Sequence, residues 1–395
     1  MKILVLNSGS SSIKCQYFIG RTSVASAVVE RIGESSGESR VVYGRKQISD
    51  SDAVENHHVA LERIFSLLQA SGALSSLDEL DAVGHRVVHG GERFNRPVRI
   101  TPDVIETIRT LIPLAPLHNP ANLEGVEAMY AKHPQLPQIA VFDTAFHQSM
   151  PEYAYTYPLP YRYEKEFGIR RYGFHGTSHA YVAKEAAKML EKDLEETNLI
   201  TLHLGNGASA TAIKGGKSID TSMGMTPLEG LMMGTRCGDI DAAILPYLEQ
   251  HEGMDMESIE RVLNKESGLK GVCGTNDMRE VIALAGRGDL RASLALEMYV
   301  YRIRKYIGAY CAALGEVDAL IFTGGVGEHA VKVRQMVCNG LETVFGMDID
   351  PEKNRTVKEG NATIHKEKSR VKIFVVPTNE ELEIVLQVEA LLRGK

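Results

Sequence analysis

The chain has 395 residues, 44% of them hydrophobic and 24% charged, and a net charge of −7. That length is too great for one ordinary core and calls for two domains, while the composition is that of a globular protein rather than a disordered or fibrous one. The acidic balance argues against a nucleic-acid partner, which needs a basic face, but leaves small anionic substrates open, because a few local Arg, Lys and amide donors hold those. Five widely spaced cysteines without a Cys-x-x-Cys pair, and no run of about 18 apolar residues, point to a cytoplasmic protein that makes no membrane contact.

From the amino terminus, residues 2–6 form a β-favouring run that stops at Asn7-Ser8-Gly9-Ser10, and 13–19 reads as the returning strand of a hairpin. Helical spacing follows at 59–70 and 103–112, with a strand at 82–89 ahead of Gly90-Gly91 and another at 139–143. The Pro- and Tyr-rich stretch 151–163 breaks both periodicities, so the domain change falls near Gln148. Thr177 or Ser178 can cap a helix that runs to about Lys192. Residues 199–204 then repeat the amino-terminal device: an apolar strand, the turn Gly205-Asn206-Gly207-Ala208-Ser209, and a returning strand at 210–213. Two halves that open with one hairpin suggest two related domains around one nucleotide. A third strand, 319–322, runs into the turn Thr323-Gly-Gly-Val-Gly-Glu-His329 before a helix over 331–344. The last strand, 372–376, leads through Pro377-Thr-Asn-Glu-Glu381 into a closing helix.

Turns rich in Gly and Ser bring the backbone close to a phosphate and aim several N–H groups at it. Three such turns sit at strand ends, and Lys14 follows the first. Gly215-Gly216-Lys217-Ser218 imitates the end of a P-loop, but the required first Gly falls at Thr211 and both flanks are strands, so it reads as a hairpin tip. Gly325-x-Gly327-x-x-Ala330 fits a loose dinucleotide fingerprint ahead of a helix, yet a nicotinamide cofactor leaves both hairpins unexplained. His85/His89 and His175/His179 are each spaced four apart, and a hydrogen-bonded structural role competes with any ligand role for each. Arg86 ahead of Gly90-Gly91, and Arg236 within Gly234-Thr235-Arg236-Cys237-Gly238, suit bidentate grip of a carboxylate or phosphate, with a structural salt bridge as the competing reading. Asp143, Glu380 and Glu381 follow strands where carboxylates reach a Mg-bound nucleotide, and a helix-capping role is equally open to Asn379 or Glu380.

Seven strings taken together resemble one family: Asn7-x-Gly-Ser-Ser-Ser-x-x-Lys14, Gly84-His-Arg-Val-Val-His-Gly-Gly91, Pro116-Leu-His-Asn-Pro120, Val141-Phe-Asp-Thr-Ala-Phe-His147, Gly173-Phe-His-Gly-Thr-Ser-His179, His203-Leu-Gly-Asn-Gly207 and Met233-Gly-Thr-Arg236. They resemble the acetate kinases, and the likeness runs in the same order to Pro377-Thr-Asn-Glu-Glu381, covering nearly the whole chain. The resemblance implies an α/β fold of two duplicated domains, of the actin, heat-shock ATPase and sugar kinase type, with ATP in an interdomain cleft. It divides the chain into 1–147 plus 381–395 and a second domain, 148–380, that carries most nucleotide contacts. The implied activity is reversible, direct in-line transfer of the ATP γ-phosphoryl group to acetate, giving acetyl phosphate and ADP, with propionate kinase as the alternative.

Carried over residue by residue, the resemblance implies that Arg86 and Arg236 bind the substrate carboxylate and the moving phosphoryl group, with His175 stabilising the transition state. Asn7 and Glu380 match positions that hold Mg (or Mn). Lys14, His203, Leu204, Gly205, Asn206, Gly207, Asp277, Met278, Arg279, Gly325, Val326, Gly327, Glu328 and His329 match nucleotide contacts. Val88, Leu117, Phe174 and Pro227 match a small pocket for the acyl methyl group, and Asp143 matches a residue given an acid/base role. A carboxylate nucleophile with a pKa near 4.3 is already ionised at neutral pH and needs no base, so Asp143 is expected to orient Mg or an Arg instead. Small-molecule substrates and a homodimer complete what the resemblance implies.

Overall fold

The structure, a computed structural model, describes residues 1–116 and 118–394, so Leu117 lies outside the described residues. The chain divides into two compact units, Met1–Phe146 with Asn379–Lys395, and His147–Thr378.

In the first unit, β1 (Lys2–Ser8), β2 (Ser12–Ile19) and β3 (Thr22–Glu30) form an antiparallel meander, extended by β4 (Glu38–Tyr43) and β5 (Lys46–Asp50). On its other edge β1 pairs in parallel with β6 (Ala82–Val87), and β6 pairs in parallel with β8 (Gln138–Phe142), beside the short β7 (Val98–Arg99). The strand order is β5-β4-β3-β2-β1-β6-β8-β7. Both faces of β1 are covered, which explains why it reads as a continuous apolar run. Ile3 and Val5 meet Ile384, Val385 and Val388 of the helix Glu380–Leu392, while Leu4 and Leu6 lie in a second core with Ala128 and Met129 of the helix Asn119–Lys132.

The second unit builds the same pattern again. There β9 (Asn198–Leu204), β10 (Ala208–Lys214) and β11 (Lys217–Thr221) form the meander, and β12 (Ala319–Thr323) and β14 (Lys372–Val375) add in parallel beyond β9, with β13 (Ala362–Thr363) at the edge. The order β11-β10-β9-β12-β14 matches β3-β2-β1-β6-β8 strand for strand, with the same parallel and antiparallel relations. The expected duplicated α/β fold is therefore present in the topology of each unit. Gly215 and Gly216, both with positive φ, form the tip of the β10–β11 hairpin. Among the described residues, no helix is long and apolar enough to cross a membrane.

Local expectations differ in four places. The strand expected at 82–89 ends at Val87, because the backbone beyond it bonds to side chains: Val88 N–H donates to Asn122 Oδ1 and His89 N–H to Asn119 Oδ1. Thr177 and Ser178 do not cap the helix Gly176–Met189; His175 holds the cap position and the Ser178 hydroxyl is engaged elsewhere. The turn expected at 323–329 is itself a helix, Gly324–His329, and the helix expected over 331–344 is broken into Val331–Cys338 and Glu342–Phe345. The stretch 151–163 holds the short helix Glu152–Tyr155 and the start of another, Arg162–Phe167.

Two predictions concern stability. A Cβ on Gly84 would stand 2.6 Å from Ile384 Cγ2 and 3.2 Å from Val388 Cγ2, both on stiff β-branched side chains. Gly84→Val is expected to push the closing helix off the sheet and destabilise the protein by about 1–3 kcal/mol, measured by chemical denaturation. Burial pushes the His85 and His147 imidazoles down to about 4. The unfolded chain titrates near pH 6.5, so between about pH 6.5 and 4 it binds protons that the native state does not, and stability falls as pH falls. His85→Gln is expected to make that decline shallower, read from unfolding free energy across the window; an unchanged slope would contradict the buried neutral state of His85.

Candidate active site

The polar residues of the first unit gather where β1, β6 and β8 end, the usual place for ligands in parallel sheets. Register brings them together: Arg86 of β6 pairs with Val141 of β8, so Asp143, just past the end of β8, lies beside the guanidinium. Arg86 Nε and Nη2 donate to the two Asp143 oxygens at 3.1 and 2.6 Å, and Nη1 donates to Asn7 Oδ1 at 3.3 Å. Glu380 Oε2, from the first turn of the closing helix, is 3.8 Å from Arg86 Nε. Burial works against the charged guanidinium, but Asp143 and Glu380 outweigh it and hold its pKa above the ordinary arginine value. Asn379, not Glu380, caps the closing helix, its Oδ1 accepting from Leu382 N–H at 2.9 Å.

Two asparagines, Asn119 and Asn122, anchor this end of the sheet, a role with no local signal in the sequence. Asn122 Nδ2 donates to the Ser8 carbonyl at 2.6 Å while its Oδ1 holds Val88, and Asn119 brackets His89 through both its amide atoms. Val88 is buried against this frame. Lys14 lies on β2 opposite Asn7, exposed to solvent.

In the second unit the ends of β9 and β12 carry the polar groups. His175 sits at the helix cap with φ 56°, a left-handed conformation that non-glycine residues rarely adopt and that strain at functional sites often explains. Its ring stacks on His203, with centroids 4.2 Å apart. A Cβ on Gly207 would stand 3.4 Å from Arg236 Nη1 and 3.6 Å from His175 Nε2, so the missing side chain leaves both groups converging on the turn. Arg236 Nη1 donates to the Pro227 carbonyl at 3.1 Å. Among the described residues, no carboxylate lies within ion-pair distance of Arg236, and burial lowers its pKa from the ordinary value. A half-buried guanidinium so placed, aimed at a glycine turn, suits an anion.

Beside that turn lies a cavity of about 900 Å³, lined among others by Asn206, Asp277, Arg279, Val326 and His329, with Gly205, Met278 and Gly325 also at its wall. Asp277 caps the helix Met278–Gly286 and grips Arg279, which depresses its carboxyl to about 2. Glu328 Oε1 accepts from Gly324 N–H at 3.0 Å and ties off its own short helix. Leu204 and Phe174 are buried, the latter with its carbonyl bonded to His147 Nε2 at 2.9 Å. Four further polar residues around the imidazoles were missed as contributors: Thr201, Ser209, Ser178 and Thr378. The available signal was polar side chains inside apolar strand runs at Thr201 and Ser209, and the His175/His179 spacing, which sets the ring of the cap residue 6.5 Å from one in the first helical turn.

Guanidinium, imidazole and amide donors around anionic oxygens are the parts that phosphoryl transfer requires, since that reaction proceeds mainly by positioning and charge stabilisation. In class, the protein is a phosphotransferase built on a duplicated α/β sheet. The chain belongs to the acetokinase family, whose sequence model matches residues 2–386. It is 62% identical to an acetate kinase of Sulfurovum sp. (strain NBC37-1), with 99% of each chain covered. Its fold is similar to a crystal structure of Porphyromonas gingivalis acetate kinase at TM-score 0.94 and 46% identity, with 99% of each covered, and to a propionate kinase of Francisella tularensis at TM-score 0.92 and 42% identity, with 98% of each covered.

One substitution separates two roles for Asp143. If it holds Arg86, Asp143→Asn should lower kcat on the order of a hundredfold and cost about 3 kcal/mol of stability, because a buried ion pair is broken from one side. A general base would instead lower kcat with KM for acetate unchanged, whereas loss of the Arg86 anchor raises that KM as well.

Proposed function

We propose that this chain moves the γ-phosphoryl group between ATP and acetate, giving acetyl phosphate and ADP, reversibly and without a covalent enzyme intermediate. The observation that carries the reading is Arg236: a guanidinium without a carboxylate partner among the described residues, converging with His175 on Gly207, in a chain of the acetokinase family. One acetate oxygen attacks the γ-phosphorus as the bond to the β–γ bridging oxygen breaks, and ADP leaves carrying that oxygen. The nucleophile is already ionised, so no proton moves.

Arg236 and His175 meet the charge that spreads over the equatorial oxygens of the transferring group, and the Gly205–Gly207 turn supplies backbone N–H groups. Arg86 binds the substrate carboxylate, kept charged and oriented by Asp143. The 900 Å³ cavity takes the base and ribose, with Asp277, Met278 and Arg279 on one wall and Gly325, Val326 and His329 on another, and Gly327 and Glu328 are assigned to the nucleotide by resemblance. Lys14 contacts nucleotide phosphate. Val88, Leu117, Phe174 and Pro227 are assigned to the acyl methyl group by resemblance.

Asn7 Oδ1 and the Glu380 carboxylate both face one guanidinium and are hard oxygen donors, a set that fits Mg or Mn shared with substrate phosphates and water. Bound there, the ion would neutralise charge on the β- and γ-phosphate oxygens. An exposed apolar strip of Ile240, Ile244, Tyr247 and Tyr301 suits burial against a second copy in a homodimer. Small soluble substrates and five unpaired cysteines suit a cytoplasmic enzyme.

With acetate, Mg-ATP and hydroxylamine, acyl phosphate is trapped as hydroxamate; no acetate-dependent product would sink the reading. In the same assay Arg236→Ala is expected to lower kcat by about 10²–10³ while leaving KM for ATP nearly unchanged. Propionate differs by one methylene, worth about 1–3 kcal/mol, so it should react with lower kcat/KM.

A further inference from the structure

Two lines of hydroxyls, buried except for the half-buried Thr378, end on the stacked imidazoles of His175 and His203. In the first, Thr201 is fully buried on β9, and its Oγ1 has one hydrogen-bond partner among the described residues, His179 Nδ1 at 2.7 Å. His179 Nε2 lies 2.7 Å from Ser209 Oγ, and the same Ser209 Oγ lies 2.9 Å from His175 Nδ1. In the second, the Thr378 hydroxyl donates to Ser178 Oγ at 2.8 Å, and Ser178 Oγ lies 2.8 Å from His203 Nδ1.

Proton counting gives each line a direction. A buried hydroxyl proton requires an acceptor, whereas an unused oxygen lone pair costs little. Thr201 can give its proton only to His179 Nδ1. His179, fully buried and kept neutral by desolvation and by the neighbouring His147 and His203, then carries its own proton on Nε2. That proton goes to Ser209 Oγ, and the Ser209 proton is left for His175 Nδ1. Reversing the line would strand the Thr201 proton with no acceptor. Along the second line the half-buried Thr378 donates to Ser178, so the fully buried Ser178 hydroxyl gives its own proton to His203 Nδ1.

We propose that Thr201, His179 and Ser209 fix His175, and that Thr378 and Ser178 fix His203, as tautomers protonated on Nε2. Those nitrogens face the anion turn: His175 Nε2 is 3.6 Å from the Cβ position of Gly207, and His203 Nε2 is 3.9 Å from that of Gly205. Each ring therefore offers an N–H donor while neutral, and the stacked pair can serve a phosphate without placing two positive charges 4.2 Å apart. Thr201, His179, Ser209, Ser178 and Thr378 are positioning residues. The purpose assigned to the donors rests on the phosphoryl-transfer reading; the tautomers themselves do not.

The test is long-range ¹⁵N–¹H correlation on the ligand-free, full-length, ¹⁵N-histidine-labelled chain at about pH 8, above the ordinary imidazole range. Signals are assigned with His175→Gln, His179→Gln and His203→Gln. Protonated-type shifts on Nε2 and lone-pair-type shifts on Nδ1 are expected for all three rings. A protonated Nδ1 on His175, His179 or His203 overturns the proposal, whatever the variants do. Ser209→Ala is expected to let an Nδ1–H form of His175 appear and to lower kcat on the order of tenfold, with KM for both substrates largely kept. Ser209→Thr, which retains the hydroxyl, should return both readings towards the parent, and an Ala variant that changes neither the His175 signals nor kcat defeats it. The expected shifts in a chain that forms no hydroxamate would uphold the tautomers and remove the functional reading alone.

Discussion

Arg86 is held before any ligand arrives. Asp143 takes two of its three nitrogens and Asn7 the third, and the arrangement follows from the parallel register of β6 and β8, which sets Asp143 one residue beyond the sheet beside the guanidinium. A free arginine side chain loses rotamer entropy when it closes on a substrate; one fixed by a buried carboxylate has lost it on folding. The arrangement also keeps a buried cation hydrogen-bonded, which it needs in order to stay inside the protein. Much of the first unit serves this point: Asn119 and Asn122 hold the backbone just past β6, and the closing helix brings Glu380 to the same guanidinium.

Arg236 is prepared in the opposite way. Its guanidinium rests on the Pro227 carbonyl and has no carboxylate within ion-pair distance among the described residues, so its charge is not offset within its unit. An arginine neutralised by its own protein would compete poorly for a phosphoryl group; one held by a neutral oxygen keeps its field for the ligand. The strained backbone of His175 fits the same logic, because the left-handed cap aims the ring at Gly207 instead of along the helix.

Some of this was legible from local pattern. The hairpins at both starts, the Gly/Ser turns and the strand before Thr323 are visible because strand alternation and turn chemistry act over a few residues. Asn119 lies inside a string singled out for its pattern, but nothing local tells that its amide brackets His89, thirty residues earlier in the chain. The cap of the helix Gly176–Met189 was misplaced for a related reason. A Ser near a helix start normally turns back to its own backbone, and here Ser178 is drawn away by Thr378 and His203. Gly324–His329 was read as a turn because three glycines oppose a helix, yet Gly324, whose Cβ would stand 2.8 Å from the Leu204 carbonyl, must stay small, and Glu328 closes the short helix on itself.

The sequence by itself determined the duplicated α/β plan, the Gly/Ser turns at strand ends, the two arginines and the family, because each is written in short, ordered strings whose chemistry is local. Only the tertiary structure decided which charges are satisfied and which are left for a ligand: Arg86 meets a carboxylate 57 residues away, and Arg236 meets none among the described residues. It also decided the direction of the hydroxyl lines behind His175 and His203, where Ser178 and Thr378 are 200 residues apart. Hydrogen-bond direction depends on the whole set of partners within reach of a buried proton, and that set exists only after the strands have paired.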